Sequence, residues 1–206
     1  MKQLRLWAFF LALCFAGVVV SAAQQQVPDD VDRPVRTNNK NPDAVAVVIG
    51  IADYQNPDIP DVEFAVNDAQ AIRGLLTETL GYSSARVLMR TNAEASLAQL
   101  RPLLRQELPA TVAPGKTDVF VFYSGHGAPS ADTRQAFLIP WDYNPRYAPS
   151  TDSAYPLKDF YDDLQRLRAR RLFIVLDACS ADSPIPDRSL RMQVLSLLVW
   201  RIRRAL

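Results

Sequence analysis

The chain has few of the side chains that usually carry reactive chemistry. Among its 206 residues there is one histidine, His126, and there are two cysteines, Cys14 and Cys179. A tetrahedral zinc site takes four His, Cys or carboxylate donors, so this supply could complete one only with carboxylates in rare positions; we expect no metal site. Long apolar runs are missing too. The run from Leu6 to Val20 falls short of the roughly 20 residues that a membrane-spanning helix needs. There is no internal repeat, and 49% apolar with 22% charged residues excludes fibrous and wholly disordered chains. The length suits one domain of about 150 residues plus tails.

What stands at the start points to export. Lys2 and Arg5 precede the apolar run and Ser21-Ala22-Ala23 follow it, the pattern of a signal peptide over residues 1–23. The expected location is periplasmic or extracellular, with an uncleaved membrane anchor as the alternative. Leu13 precedes Cys14 where a lipoprotein signal needs a small residue, which argues against lipidation. Removal of the signal leaves Cys179 as the sole cysteine, so no disulfide can form within the chain although the compartment would permit one. Lys2 and Arg5 at one end and five arginines at the other leave 16 of the 23 basic residues against all 22 acidic ones between Gln24 and Asp187, a net of −6. An acidic body favours cationic substrates over nucleic acid; a merely soluble surface is the bland reading of the same charge.

Residues 24–43 are rich in Gln, Asp, Asn and Pro and read as a flexible linker. Ala44 to Ile51 (AVAVVIGI) is a short, continuous, Val-rich run, as expected of a parallel strand buried on both faces. Asn67-Asp68 then precede Ala69, Ile72, Leu75, Leu76 and Leu80 at helical spacing, with Gly81 as the stop. A strand at Arg86 to Met89, a helix from Ser96 to Leu108, a strand at Asp118 to Tyr123, a helix from Tyr155 to Arg170 and a strand at Arg171 to Leu176 complete the alternation. The expected fold is α/β: a doubly wound, mainly parallel sheet with helices on both faces. The long Pro- and Tyr-rich stretch from Ala128 to Pro156 is broken only by Ala136 to Pro140 and has the length of a functional loop.

Chemistry in such sheets collects beyond the C-terminal strand ends. Tyr123-Ser124-Gly125-His126-Gly127 follows one strand and Asp177-Ala178-Cys179 follows the other, so both reactive side chains emerge at one edge. A thiolate attacks a carbonyl, and a neighbouring imidazole stabilises that thiolate and protonates the leaving amine. The amides of Gly127 and Cys179 are the natural oxyanion donors. A buried cysteine is more often inert and a lone histidine more often structural. Here the coincidence of both at sequential strand ends favours a catalytic pair.

At these residues the chain resembles the caspase-like cysteine peptidases, and their metacaspase and bacterial branch more closely than animal caspases. His126 precedes Cys179 by 53 residues, close to the roughly 50 of the caspase pattern. AVVIGIADY (Ala46 to Tyr54) is similar to the family's first strand and loop, Val66-Asn67-Asp68-Ala69 to its asparagine-aspartate helix start, and FLIPWD (Phe137 to Asp142) to its post-histidine strand. The resemblance spans Ala44 to Cys179. It implies a caspase-like fold and an endopeptidase acting on polypeptides through His126 and Cys179, without a cofactor; calcium dependence stays open. It also implies that Asp68, Asp177 and Ser124 face the P1 side chain and select Arg or Lys. A helix N-cap is the structural alternative for Asp68, and a strand-end hydrogen bond for Asp177.

Two departures stand out. The family continues after the nucleophile with a variable residue and Ser-Gly, where this chain has Ser180-Ala181-Asp182. The family also adds two strands after the cysteine, which the remaining residues do not supply, so we expect an incomplete catalytic domain over residues 44–187. From Arg191 on, Leu195, Leu198, Val199 and Ile202 recur at helical spacing among arginines, and residues 188–206 read as a basic amphipathic tail. A membrane-surface or partner contact is its functional reading, a tail without a selected role the other. The alternative to the peptidase is a caspase-like domain that binds without cleaving.

Overall fold

The computed structural model describes residues 34–130, 135–180 and 200–201, all within one compact unit, Asp32–Leu206. Its elements in chain order are β1 (Val45–Gly50), α1 (Ala65–Gly74), β2 (Val87–Thr91), α2 (Leu97–Pro102), α3 (Leu108–Thr111), β3 (Asp118–Pro129), β4 (Ala136–Leu138), β5 (Tyr155–Pro156), α4 (Leu157–Arg166), β6 (Arg171–Ser180) and β7 (Trp200–Arg201). A π-helical turn, Leu75–Thr79, prolongs α1, and another, Leu103–Glu107, joins α2 to α3. The second follows Pro102, which has no N–H for the preceding turn, so the helix widens there instead of stopping.

Strands β2, β1, β3 and β6 are parallel neighbours in that order, with β4 and β5 added antiparallel beyond β3. The sheet is therefore mixed, around the parallel core that the Val-rich runs predict. Every residue of β1 is buried, as a strand covered on both faces requires. On one face Ala46, Val48 and Phe122 pack against Ala69 and Leu76 of the first helical segment. On the other, Val47, Val121, Tyr123 and Ile174 pack against Leu100, Leu104, Phe160 and Leu164. A Cβ on Gly50 would stand 2.4 Å from Ala65 O and 2.7 Å from Ala69 Cβ, so the missing side chain lets α1 rest on the end of β1.

Upstream of β1 the chain clasps the far end of that helix. Thr37 N donates to Glu78 O at 3.0 Å, Thr37 Oγ1 to Thr79 O at 2.6 Å, Asn39 Nδ2 to Thr79 O at 2.9 Å and Asn41 N to Gly81 O at 2.8 Å. Helix C-terminal carbonyls otherwise lacking partners are satisfied in this way. Gly81 takes φ +74° with Asn39 O where a Cβ would sit, which only glycine allows.

Two expectations change. The helix over residues 65–74 begins two residues before the Asn67-Asp68 start, with Phe64 at its N-cap and no side-chain cap bond. Trp200–Arg201, expected within a helix, form β7, antiparallel to β6 at Ile174 and Phe173; that strand edge thus has a partner over two residues. The rest of the tail and the signal-peptide segment lie outside the described residues.

Candidate active site

The centre of the site lies where β3 changes partners. Its last pair with β1 is Gly50 opposite Ser124, and its first with β4 is Gly127 opposite Leu138. Gly125 and His126 fall between; β6 stays in register with them on the other side, and on this side only the His126 carbonyl has a main-chain partner. The His126 N–H instead donates to Tyr54 Oη at 2.8 Å, and its carbonyl accepts from Tyr123 Oη at 2.8 Å and from Ile139 N at 3.0 Å. A buried main-chain group left unpaired costs about 1–3 kcal/mol, so these side chains are needed for β3 to run through this point.

The imidazole is 7% exposed. Its Nε2 lies 2.7 Å from Pro60 O, and a carbonyl can only accept, so Nε2 carries the proton and Nδ1 the lone pair. Nδ1 is buried with no hydrogen-bond partner among the described residues. The loop that brings Pro60 here is itself held: Asn92 Oδ1 accepts from Ala52 N at 2.8 Å, Asn92 Nδ2 donates to Asp53 Oδ2 at 2.9 Å, and Val62 N donates to Ala52 O at 2.9 Å. Asn92 does this from φ +43°, a conformation asparagine tolerates better than most residues.

Tyr54 also packs its ring on the imidazole, centroids 5.1 Å apart. Burial pushes its hydroxyl up to about 12, against the lowering effect of the His126 amide and of Tyr123. Burial likewise raises Tyr123 well above the usual range for a phenol. Gly125 leaves room for both hydroxyls: a Cβ there would stand 3.0 Å from Tyr123 Oη and 3.1 Å from Tyr54 Oη.

His126 is the register partner of Cys179 across the parallel β3–β6 pair, and Gly127 that of Ser180. Carbonyls alternate sides along a strand, so with His126 O turned to β4 the Gly127 amide faces β6, the strand that carries Cys179. One row of partners runs Gly50–Ser124–Asp177 across β1, β3 and β6. Phe122 and Val175, two residues earlier on each strand, belong to the α1-side cluster, and strand alternation puts Ser124 and Asp177 on that same face. Ser124 is buried and Asp177 exposed. Asp68 lies in the first turn of α1 beside Ala69, which rests on Gly50. Register and helix position thus put the three predicted substrate-side residues toward one end of the α1 face, and Asp68 is not the N-cap residue of α1.

Pro60, Tyr54 and Tyr123 were not singled out from sequence. Pro60 acts through a main-chain oxygen, which no residue type signals; both tyrosines stand inside the quoted motifs AVVIGIADY and YSGHG. A groove of about 640 Å³ lined by Leu104, Arg105, Pro109, Val112, Asp163 and Arg166 lies at the opposite sheet edge, before β3 and β6 begin. Among the described residues there is no cluster of three or more His, Cys, Asp or Glu able to hold a metal, and no helix long and apolar enough to cross a membrane.

Comparison with known proteins agrees with this geometry. The caspase domain of the peptidase C14 group matches residues 43–194. Among solved structures, the crystal structure of protein GSU0716 from Geobacter sulfurreducens is similar in fold, with a TM-score of 0.53 and 16% identity over 70% of this chain. The match spans 53% of the length of that protein. No curated protein sequence matches.

Proposed function

Because the chain belongs to the caspase-domain family, whose members are caspase-like peptidases, we propose that it is a cysteine endopeptidase with His126 and Cys179 as its catalytic pair, cleaving after Arg or Lys. The observation that carries this reading is the pairing of His126 with Cys179 in register, with the Nδ1 lone pair left without a partner among the described residues.

The chemistry follows from the fixed tautomer. With Nε2–H donated to the Pro60 carbonyl, Nδ1 is the basic nitrogen and takes the thiol proton of Cys179. The thiolate attacks the scissile carbonyl, and the Gly127 and Cys179 amides receive the oxyanion. The imidazolium, its second proton held by Pro60 O, returns the Nδ1 proton to the leaving amine. Water, deprotonated at Nδ1, then releases the acyl group from sulfur. The dyad completes this sequence without a cofactor. Asp68 and Asp177 carry the negative charge that a P1 guanidinium or ammonium would meet, and the acidic balance of the body supports a cationic substrate.

A peptidyl acyloxymethyl ketone with P1 Arg tests the whole reading, since labelling needs a reactive thiolate and a formed pocket. Labelling at Cys179 that is absent with a P1 Asp probe supports it. Labelling by the Asp probe instead would overturn the specificity, and no labelling of folded protein would favour a caspase-like binding module. Export behind residues 1–23 is part of the proposal, and loss of 22 or 23 residues in the intact mass of secreted protein checks it.

A further inference from the structure

The imidazole of His126 is held on one side by Pro60 O, but a single hydrogen bond to a loop does not explain what keeps the residue's main chain in place. His126 sits between the end of the β1 ladder and the start of the β4 ladder. Its amide proton goes to Tyr54 Oη. The one hydroxyl proton of Tyr123 lies between His126 O at 2.8 Å and Ile139 O at 3.0 Å. Gly125 leaves open the space beside both hydroxyls, since a Cβ there would stand 3.0 Å from Tyr123 Oη and 3.1 Å from Tyr54 Oη. Two phenols therefore hold the main chain of His126, Tyr54 at its amide and Tyr123 at its carbonyl.

We propose that Tyr54 and Tyr123 are positioning residues, a two-phenol bridge that clasps the main chain of His126 from amide to carbonyl and so keeps its imidazole aligned with Pro60 O. Tyr54 takes the amide that β1 and β4 leave unpaired, Tyr123 reinforces the carbonyl beside Ile139 N, and the Tyr54 ring, 5.1 Å from the imidazole, limits its rotation. This inference rests on His126 being the catalytic base, yet its test does not require turnover. Without Tyr54 the buried amide of His126 is unpaired, and without Tyr123 its carbonyl keeps only Ile139 N; in either case the residue relaxes, and Nε2–H exchanges with water.

His126 is the chain's one histidine, so its ring and amide protons are read by NMR without overlap from another imidazole. In Tyr54→Phe and Tyr123→Phe, solvent exchange of the His126 amide and Nε2–H should rise at least about tenfold, matching the loss of one buried hydrogen bond. Tyr143→Phe is the matched control, removing a phenol that donates to Tyr147 O away from this junction, and should leave both rates within about twofold. On a cleaved Arg reporter the same two variants should lower kcat roughly tenfold with KM little changed, since alignment of the base acts in the transition state. Unchanged exchange, or an equal rise in Tyr143→Phe, overturns the bridge. If the variants do not fold, the unmodified chain decides: His126 N–H must be protected like the ladder amides of β3, and exchange at the rate of a free amide overturns the proposal. A chain with intact protection that no Arg probe labels would refute the peptidase reading and leave the bridge standing.

Discussion

At the start of β3 and β6, Asp118 is the register partner of Arg171; at the far end of the same strand pair, His126 is the partner of Cys179. The first end is closed. Asp118 is buried and takes Arg170 Nε at 2.8 Å, Arg170 Nη2 at 2.6 Å and Arg171 Nε at 3.0 Å, with a further short contact from Arg171 Nη2. Burial alone would raise its carboxyl, but the two guanidiniums outweigh that and hold it at about 2. The other end keeps a buried nitrogen lone pair that no described residue takes up. One ladder therefore carries a paired charge at one end and, among the described residues, an unpartnered imidazole nitrogen at the other. The difference teaches that one strand pair can be closed by side chains at its start and left open at its end.

The sharpest way to break this comparison is at the reactive end. Cys179→Ala should abolish peptidase activity and His126→Ala should lower kcat at least ~10³-fold, about 4 kcal/mol of transition-state stabilisation. Retained activity in either variant would place the chemistry elsewhere. At the pinned end, Asp118→Ala should lose about 2–3 kcal/mol of folding stability in denaturant titration, below the full cost of breaking a buried pair because both arginines are half exposed. If this variant, once folded, loses labelling by the Arg probe, the two ends are not separable. Acid sharpens the same point. A carboxyl at about 2 in the folded chain against 3.8 unfolded adds stability that is present above pH ~4 and is lost as pH falls toward 2. Melting temperatures across that window should fall in the parent and flatten in Asp118→Asn.

A smaller effect tests the substrate side. Asp68→Asn should cost roughly 30-fold in kcat/KM on Arg reporters, about 2 kcal/mol, by removing one charge partner of the P1 group. A variant equal to the parent would remove Asp68 from the pocket and leave the dyad untouched. The smallest change belongs to the exposed Arg36–Glu78 pair, 2.9 Å apart at the surface. Arg36→Ala should shift stability by no more than about 0.5 kcal/mol.

The parallel core was legible because VFVFY and LFIVL are continuous apolar runs, which only a strand covered on both faces explains. The strand expected at Asp118 to Tyr123 continues through Ser124-Gly125-His126-Gly127 to Pro129. Its continuation depends on partners supplied from β6 and from Tyr54, 72 residues away, which no local pattern signals. Asn67-Asp68 signals a helix start because such residues favour caps; Phe64 gives no such signal, and α1 begins behind it because its first turn rests on Gly50. Pairing of Trp200 with Ile174 overrode a helical spacing of leucines for the two residues described there. The role of Pro60 had no signal at all, since any residue offers the same carbonyl.

The clasp of Thr37, Asn39 and Asn41 on residues 78–81 has a mechanical consequence. A load applied to the chain upstream of residue 34 reaches these hydrogen bonds before it reaches β1. Release of the clasp would give several residues of slack while the sheet stays under no tension. The sheet edge that carries His126, at the other end of the same helix, is thereby insulated from pulling at the N-terminal side. In single-molecule stretching, an early low-force extension of about 2 nm should precede the main rupture, from some seven residues at roughly 3.3–3.6 Å each, and disappear when Thr37, Asn39 and Asn41 are replaced by alanine.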